Sequence, residues 1–175
     1  MRTWICCLFF SFTLEGSPIQ FQNATFAEAS YLTSLSLRSS DLYQSRTVSD
    51  REALQILRLS KSHFQNRIVR LLKKENKIIG FYALGRWKLK NGSEENFLTH
   101  LYVEPAHTRK GYGKILFQHA MQSARTELKW KTVRWVSEPP GAGFYQKMGA
   151  KQIGELPSRM NPQEKSPIFV YQLPP

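Results

Sequence analysis

Leu98-Thr99-His100-Leu101-Tyr102-Val103-Glu104-Pro105, followed by Ala106-His107-Thr108-Arg109-Lys110-Gly111-Tyr112-Gly113-Lys114, leads into an apolar-periodic segment that ends near Leu128. The pattern is strand, basic glycine-containing loop, helix. Gly111 and Gly113 allow a backbone to approach a ligand without an intervening Cβ. A helix beginning there aims unsatisfied N–H groups and its positive dipole end at an anion, so the segment reads as a phosphate cradle.

Two familiar cradles fail on spacing. A dinucleotide fingerprint needs a third small residue where Leu116 stands, and a P-loop needs Gly-Lys-Ser/Thr where this chain has Gly113-Lys114-Ile115. The run Val103-x-Pro105 with Arg109-Lys110-Gly111-Tyr112-Gly113 instead resembles the acyl-CoA-binding motif of the Gcn5-related N-acetyltransferases, whose usual form is Gln/Arg-x-x-Gly-x-Gly/Ala. Thr108 occupies the Gln/Arg slot, which leaves its N–H and hydroxyl available and moves the basic side chains to Arg109 and Lys110. Downstream, Pro139-Pro140-Gly141-Ala142-Gly143-Phe144-Tyr145-Gln146-Lys147-Met148-Gly149-Ala150 resembles the family's second signature, a short helix carrying Phe-Tyr-x-x-x-Gly before the penultimate strand. The two motifs stand in the family's order with one strand between them.

The 175 residues suit one domain that buries about two-thirds of its unfolded surface. A content of 41% hydrophobic and 22% charged residues excludes a disordered chain. The net charge of +12 attracts polyanions, of which CoA is a compact example, and the basic clusters also read as a solvated face. Cys6 and Cys7 are the only cysteines, so neither a disulfide framework nor metal-ligand spacing is available and the expected compartment is the reducing cytoplasm. Residues 1–17 read as an N-terminal extension, disordered or leader-like. Arg2 and the run Trp4-Ile5-Cys6-Cys7-Leu8-Phe9-Phe10 loosely imitate a signal peptide and are too short for a stable membrane span.

Along residues 18–175 the pattern gives a strand at Ile19–Phe21 and capping boxes at Thr25-x-x-Glu28 and Ser49-x-x-Glu52. The second box opens a helix toward Phe64, after a polar loop from Ser39 to Ser49. Strands follow at Arg67–Lys73, Ile78–Trp87 and Phe97–Val103, turning at Lys74-Glu75-Asn76-Lys77 and at Asn91-Gly92. A helix presents Leu116, Ala120, Ala124 and Leu128 to one side, and strands are expected at Val133–Val136, Ala150–Ile153 and Ile168–Tyr171, the last two joined by a long loop from Gly154 to Pro167. The order matches that of the resembled family. The expectation is an α/β (α+β) single domain of the acyl-CoA N-acyltransferase fold. Its mixed, mostly antiparallel sheet has about six to seven strands flanked by about four helices, and it is splayed at the strand that binds acetyl-CoA.

The resemblance implies an acyltransferase that moves an acetyl group from acetyl-CoA to a primary amine by direct transfer in a ternary complex. Backbone groups of Leu101, Tyr102 and Val103 would hold the pantetheine, and the segment Thr108, Arg109, Lys110, Gly111, Tyr112, Gly113 and Lys114 the pyrophosphate. Tyr145 would be the general acid toward the CoA sulfur, its ordinary pKa lying close enough to a thiol's for proton donation. Strand alternation puts Glu95, Phe97 and Thr99 on the face of Leu101 and Val103, making Glu95 the candidate base, with a water chain as the alternative. His100 has the opposite parity unless a bulge intervenes. No metal is implied. The acceptor, a small-molecule or peptide amine, is not legible. Two other readings stay open: acetylation of aminoacyl-tRNA, for which the charge speaks, and a non-catalytic acyl-CoA-binding module, for which Thr108 speaks. A homodimer is left open too.

Overall fold

The computed structural model describes residues 12–14, 17–40, 49–65, 67–88, 92–158 and 163–175. Most of the expected extension, most of the Ser39–Ser49 loop, and Asn91 of the expected turn lie outside them. Strands β1 (Phe12–Leu14), β2 (Ser17–Asn23), β3 (Ile68–Lys74), β4 (Lys77–Lys88), β5 (Glu94–Val103), β6 (Thr132–Val136), β7 (Lys151–Pro157) and β8 (Lys165–Gln172) form one sheet in the order β1-β2-β3-β4-β5-β6-β8-β7. Every neighbouring pair is antiparallel except β5 and β6. Strands β2 to β8 are the seven the sequence pattern anticipates, and β1 adds a short edge.

Both capping boxes form. Glu28 Oε2 accepts from the N–H and the hydroxyl of Thr25, each at 2.7 Å, ahead of α1 (Ala29–Ser39). Ser49 and Glu52 exchange the same bonds ahead of α2 (Asp50–Leu57). The helix expected to continue to Phe64 breaks after Leu57, and α3 (Lys61–Gln65) starts anew. The cause is Leu59, whose side chain is buried against Leu32 and Leu35 while its N–H donates to Thr33 Oγ1 at 3.1 Å. Ser60 then donates its N–H to His63 Nδ1 at 3.1 Å.

Helix α4 (Tyr112–Thr126) packs Leu116, Phe117, Ala120, Met121 and Ala124 against one face of the sheet, including Leu72, Tyr82, Leu84, Leu98, Val133 and Trp135. On the other face Leu32 and Leu35 of α1 meet Val69, Leu71, Phe81 and Ala83. Strand β4 is thus buried on both sides, which is why Ile78 to Leu84 reads as a nearly unbroken apolar run. The β3–β4 turn uses Glu75 and Asn76 at φ of 51° and 61°, a mirror-image hairpin turn that follows the right-handed twist of the strands. The loop expected from Gly154 to Pro167 is shorter, because β7 extends to Pro157 and β8 begins at Lys165, paired from Glu155↔Pro167 to Pro157↔Lys165.

Candidate active site

The one parallel junction carries the site. Strands β5 and β6 share a single pair, Phe97↔Arg134, and beyond it they part. The edge of β5 from Leu98 to Val103 is left without a strand partner, and a cleft of about 270 Å³ opens there. Its walls are Leu98 to Val103 of β5, Thr108 and Gly113 of the loop and α4, Trp135 to Glu138 after β6, and Phe144 and Tyr145 of α5 (Ala142–Lys147). An unpaired strand edge offers backbone N–H and C=O groups at a regular spacing, which suits an extended amide-bearing ligand added as a further strand.

Beyond the Val103 end of that edge, Pro105–His107 forms a single 3₁₀ turn and the chain alternates in hand, with Arg109 at φ of 59° and Gly111 at 85°. Alternation of this kind turns successive N–H groups to one concave side, and the first turn of α4 adds donors that have no intrahelical acceptor. A Cβ at Gly111 would meet no atom within 4 Å, so glycine is needed there for its conformation and not for space. The side chains of Arg109, Lys110 and Lys114 are exposed beside this concavity. The ring of Tyr112 is buried in the core, so the loop side presents only its backbone. Thr108 is engaged: both its N–H, at 3.2 Å, and its hydroxyl, at 2.9 Å, donate to the Pro105 carbonyl, closing the 3₁₀ turn. The availability expected of these two groups is corrected accordingly.

Helix α1 fastens both lips of the cleft through three consecutive residues. Arg38 forms an ion pair with Glu104, its Nε at 2.8 Å from Oε2, and Tyr31 donates to the same carboxylate at 2.6 Å. The Arg38 guanidinium holds the Glu104 carboxyl below its usual range. Ser39 donates to the Val103 carbonyl at 3.0 Å, and Ser40 donates to Glu138 Oε1 at 2.8 Å. The end of β5 and the connection after β6 are therefore positioned by one helix terminus.

A bulge in β5 changes the expected faces. Ala83 pairs with His100 and Leu84 with Leu98, so Thr99 is the extra residue, its hydroxyl donating to the Ala83 carbonyl at 3.2 Å. Leu98 consequently shares the α4 face with Leu101 and Val103. Glu95 and Phe97 fall out of the parity assigned to them, since that assignment ran the alternation through Thr99 unbroken. Glu95 is not among the cleft walls; it forms an ion pair with Arg134 across the junction. His100 lies opposite Leu101, buried at 6% exposure, and it lines the cleft from the α1 side. Its ring centroid is 5.5 Å from that of His63 and 5.9 Å from that of Phe81. Burial, with His63 and Arg67 nearby, lowers its pKa to about 3, so it is neutral at pH 7.

Tyr145 reaches the cleft with its ring packed on Trp135 at 4.9 Å and Phe144 at 5.0 Å. Burial and the charge of Glu138 both raise its pKa, and the same two causes act on Tyr102 on the facing wall. Both phenols therefore remain protonated donors throughout the neutral range. Trp135 Nε1 is buried without a hydrogen-bond partner. Glu138 carries no signal that the motif reading uses, because it sits one residue before Pro139, where the second signature was taken to begin. Among the described residues no group of three or more His, Cys, Asp or Glu could hold a metal ion, and no helix is long and apolar enough to cross a membrane.

A splayed parallel junction, a glycine loop opening a helix, and a tyrosine facing the open edge define an acyltransferase that takes its acyl group from acetyl-CoA. Residues 65–149 match the family model of the acetyltransferase (GNAT) domain. The N-acetyltransferase PaiA of Thermoplasma acidophilum, solved with coenzyme A, superposes with a TM-score of 0.66 at 17% identity, over 88% of this chain and 98% of that one. The ribosomal-protein-S18-alanine N-acetyltransferase of Escherichia coli gives 0.63 at 13%, over 89% and 94%. A GNAT-family acetyltransferase of Elizabethkingia anophelis with acetyl-CoA bound gives 0.61 at 16%, over 89% and 98%. No curated protein sequence matches the chain. Residues 65–149 are thus similar to an acetyltransferase (GNAT) domain, and the chain has the acyl-CoA N-acyltransferase fold of these structures.

Proposed function

We propose that this chain moves the acetyl group of acetyl-CoA to a primary amine by direct attack within a ternary complex. The observation that carries the reading is the single β5–β6 pair, which leaves the Leu98–Val103 edge open between the glycine loop and Tyr145. The pyrophosphate is received by N–H groups from Arg109 to Lys114, with charge-assisted contacts from Arg109, Lys110 and Lys114. The pantetheine lies along the backbone of Leu101 to Val103. Thr108 shapes the turn and contributes van der Waals surface, its polar groups being committed to Pro105.

In the reaction the neutral amine nitrogen bonds to the thioester carbonyl carbon, the C–S bond breaks, the departing sulfur receives the Tyr145 proton, and the proton that the acylated nitrogen sheds restores the phenol. A phenol held protonated by burial acts first as a hydrogen-bond donor to the sulfur and completes transfer as negative charge develops there. Glu95 takes no part, its carboxylate being committed to Arg134 away from the cleft. An amine acceptor agrees with the names of the relatives, one of which acetylates an alanine of a ribosomal protein.

The test is thiol release from acetyl-CoA against amino acids, polyamines, aminoglycosides, free-amino-terminal peptides and charged tRNA. Acceptor-dependent release supports the transferase and identifies the acceptor class. Acetyl-CoA binding by calorimetry with no release on any acceptor would leave a binding module instead.

A further inference from the structure

A second cavity, of about 570 Å³, opens where β3 begins, β4 ends and β5 begins, and it shares no described residue with the β5–β6 cleft. Ile68, Leu84, Leu128 and Trp130 give it an apolar wall. Arg67, the residue before β3, also lines it. Ile68 pairs with Leu84, so Arg67 stands across from Gly85, and the missing side chain there accommodates it. A Cβ on Gly85 would lie 2.5 Å from Arg67 Cγ, 2.6 Å from Cδ and 2.9 Å from Nε. The stem of Arg67 is thus laid on the β4 backbone, and the residue is half-buried. Arg38, Arg70, Arg86 and Arg134 each form an ion pair with a glutamate. Arg67 has neither an ion pair nor a hydrogen bond among the described residues. Burial lowers its pKa and no carboxylate is close enough to raise it back, so the guanidinium is a partly desolvated cation without a counterion. Such a charge costs stability unless something pairs with it.

We propose that this cavity is a second ligand site, in which Arg67 receives the carboxylate of a small monocarboxylic acid with an apolar body. A guanidinium presents N–H donors in a planar fork that matches a carboxylate bidentately, and the apolar wall takes the rest of the molecule. The cavity has the size of a small-molecule pocket. The rim favours a single negative charge over a phosphate or a dicarboxylate. Its other arginine, Arg86, is paired with Glu94 at 3.4 Å, and the Glu94 carboxylate repels a second negative charge. The site needs nothing of the transferase reading, yet it neighbours the cleft. His63 of α3 and His100 of the cleft wall lie ring to ring at 5.5 Å, and the charge of Arg67 acts on both. A bound carboxylate therefore offsets a charge that reaches the cleft wall without itself entering the cleft.

The test titrates 4-phenylbutyrate by calorimetry into the full chain, with 4-phenylbutyramide as its uncharged twin and phenyl phosphate as the dianion. The expected result is measurable binding of the carboxylate, about tenfold weaker for the amide and about tenfold weaker in Arg67→Gln, the loss of one charge-assisted contact. Arg67→Lys keeps the charge and loses the fork, so its affinity falls between the two. Gly85→Ala pushes the Arg67 stem off the strand without changing any charge, and it should weaken 4-phenylbutyrate as well. Arg67→Gln retains Cγ and Cδ over Gly85 and removes the unpaired charge, so its urea midpoint without ligand should be no lower than the parent's. A lower midpoint would give Arg67 a structural role in place of a binding one. Absence of binding, equal affinity for the amide, or affinity that ignores residue 67 would overturn the proposal, and tighter binding of phenyl phosphate would overturn the monocarboxylate assignment. In protein saturated with CoA, retained 4-phenylbutyrate binding supports a separate site, whereas competition that abolishes it would place the acid in the cleft. Failure of acetyl-CoA to bind would remove the transferase reading and leave this site standing.

Discussion

Tyr145 and Gly111 carry opposite kinds of constraint, one chemical and one conformational, and substitutions separate them. Tyr145 offers its hydroxyl to the cleft while its ring packs on Trp135 and Phe144. Tyr145→Phe keeps the packing and removes the donor, so thiol release should fall on the order of 10² to 10³-fold while acetyl-CoA affinity by calorimetry stays nearly unchanged. Unaltered turnover would remove Tyr145 from the proton path. Gly111 stands at φ of 85° with open space around its Cβ position, so Gly111→Ala introduces no clash and costs about 1 kcal/mol of backbone strain, measurable as a lower urea midpoint. Since the strained turn is also the one that aims the loop N–H groups, acetyl-CoA affinity should fall in the same variant. A variant that lost stability and kept affinity would show that the loop's N–H groups do not hold the pyrophosphate.

Elements meet at the site through close approaches that sequence patterns announce unevenly. Gly80 of β4 is such a point: a Cβ there would lie 2.7 Å from Leu116 Cδ1 and 2.7 Å from the Tyr102 carbonyl oxygen. The leucine can rotate but the backbone oxygen of β5 cannot move without shifting the cleft wall. Gly80→Ala should therefore cost about 1–3 kcal/mol by urea unfolding and raise the KM for acetyl-CoA as Tyr102 is displaced. Much of the element order was legible, because the two capping boxes, the alternating strands and the four-residue spacing of Leu116, Ala120 and Ala124 are local signals that tertiary packing did not override. The glycine loop and Tyr145 were read through the resemblance of their motifs, and the structure puts Thr108, Gly113 and Tyr145 on the cleft. What escaped was set by long-range partners. The helix break at Arg58–Ser60 follows from burying Leu59 beneath α1, and the extension of β7 and β8 follows from their pairing with each other. The Thr99 bulge is the costliest of these omissions: one extra residue opposite Ala83 moves Glu95 to the other face, and no periodicity within β5 reveals it. The place of Glu138 on the cleft wall escaped because the hydroxyl that donates to it, that of Ser40, lies 98 residues away in sequence.

Across the whole molecule, the titratable groups place the acid limit of stability. Three histidines are held neutral by burial: His100 with a pKa lowered to about 3, and His63 and His119 to about 4. His100 and His63 face each other beside Arg67, and His119 stacks on Phe21 at 3.5 Å while its Nδ1 meets the Tyr82 hydroxyl at 2.9 Å. In the unfolded chain each titrates near 6.5, so between about 6.5 and 4 the unfolded state binds more protons than the folded one and stability falls as pH falls. The carboxylates with lowered values, Glu104 and Glu28 among them, lose their contribution only below the ordinary carboxylate range, so the upper part of the window belongs to the histidines. Neutral His100 has its full effect at pH 7.5, and that effect declines on acidification with a limiting slope of about 1.4 kcal/mol per pH unit. The expected outcome is a urea midpoint that drops steadily from pH 7 to pH 5 with an unchanged m-value. His100→Gln, which cannot titrate, should flatten part of that decline while lowering the midpoint at pH 7.5. A midpoint independent of pH over this interval would mean that the buried imidazoles gain protons without unfolding the chain. Because His100, which lines the cleft, and His63, which packs on it, stay neutral in the folded chain down to about pH 3 and 4, the decline from pH 7 to pH 5 belongs to folding alone and reaches acetyl-CoA affinity only through the unfolded fraction.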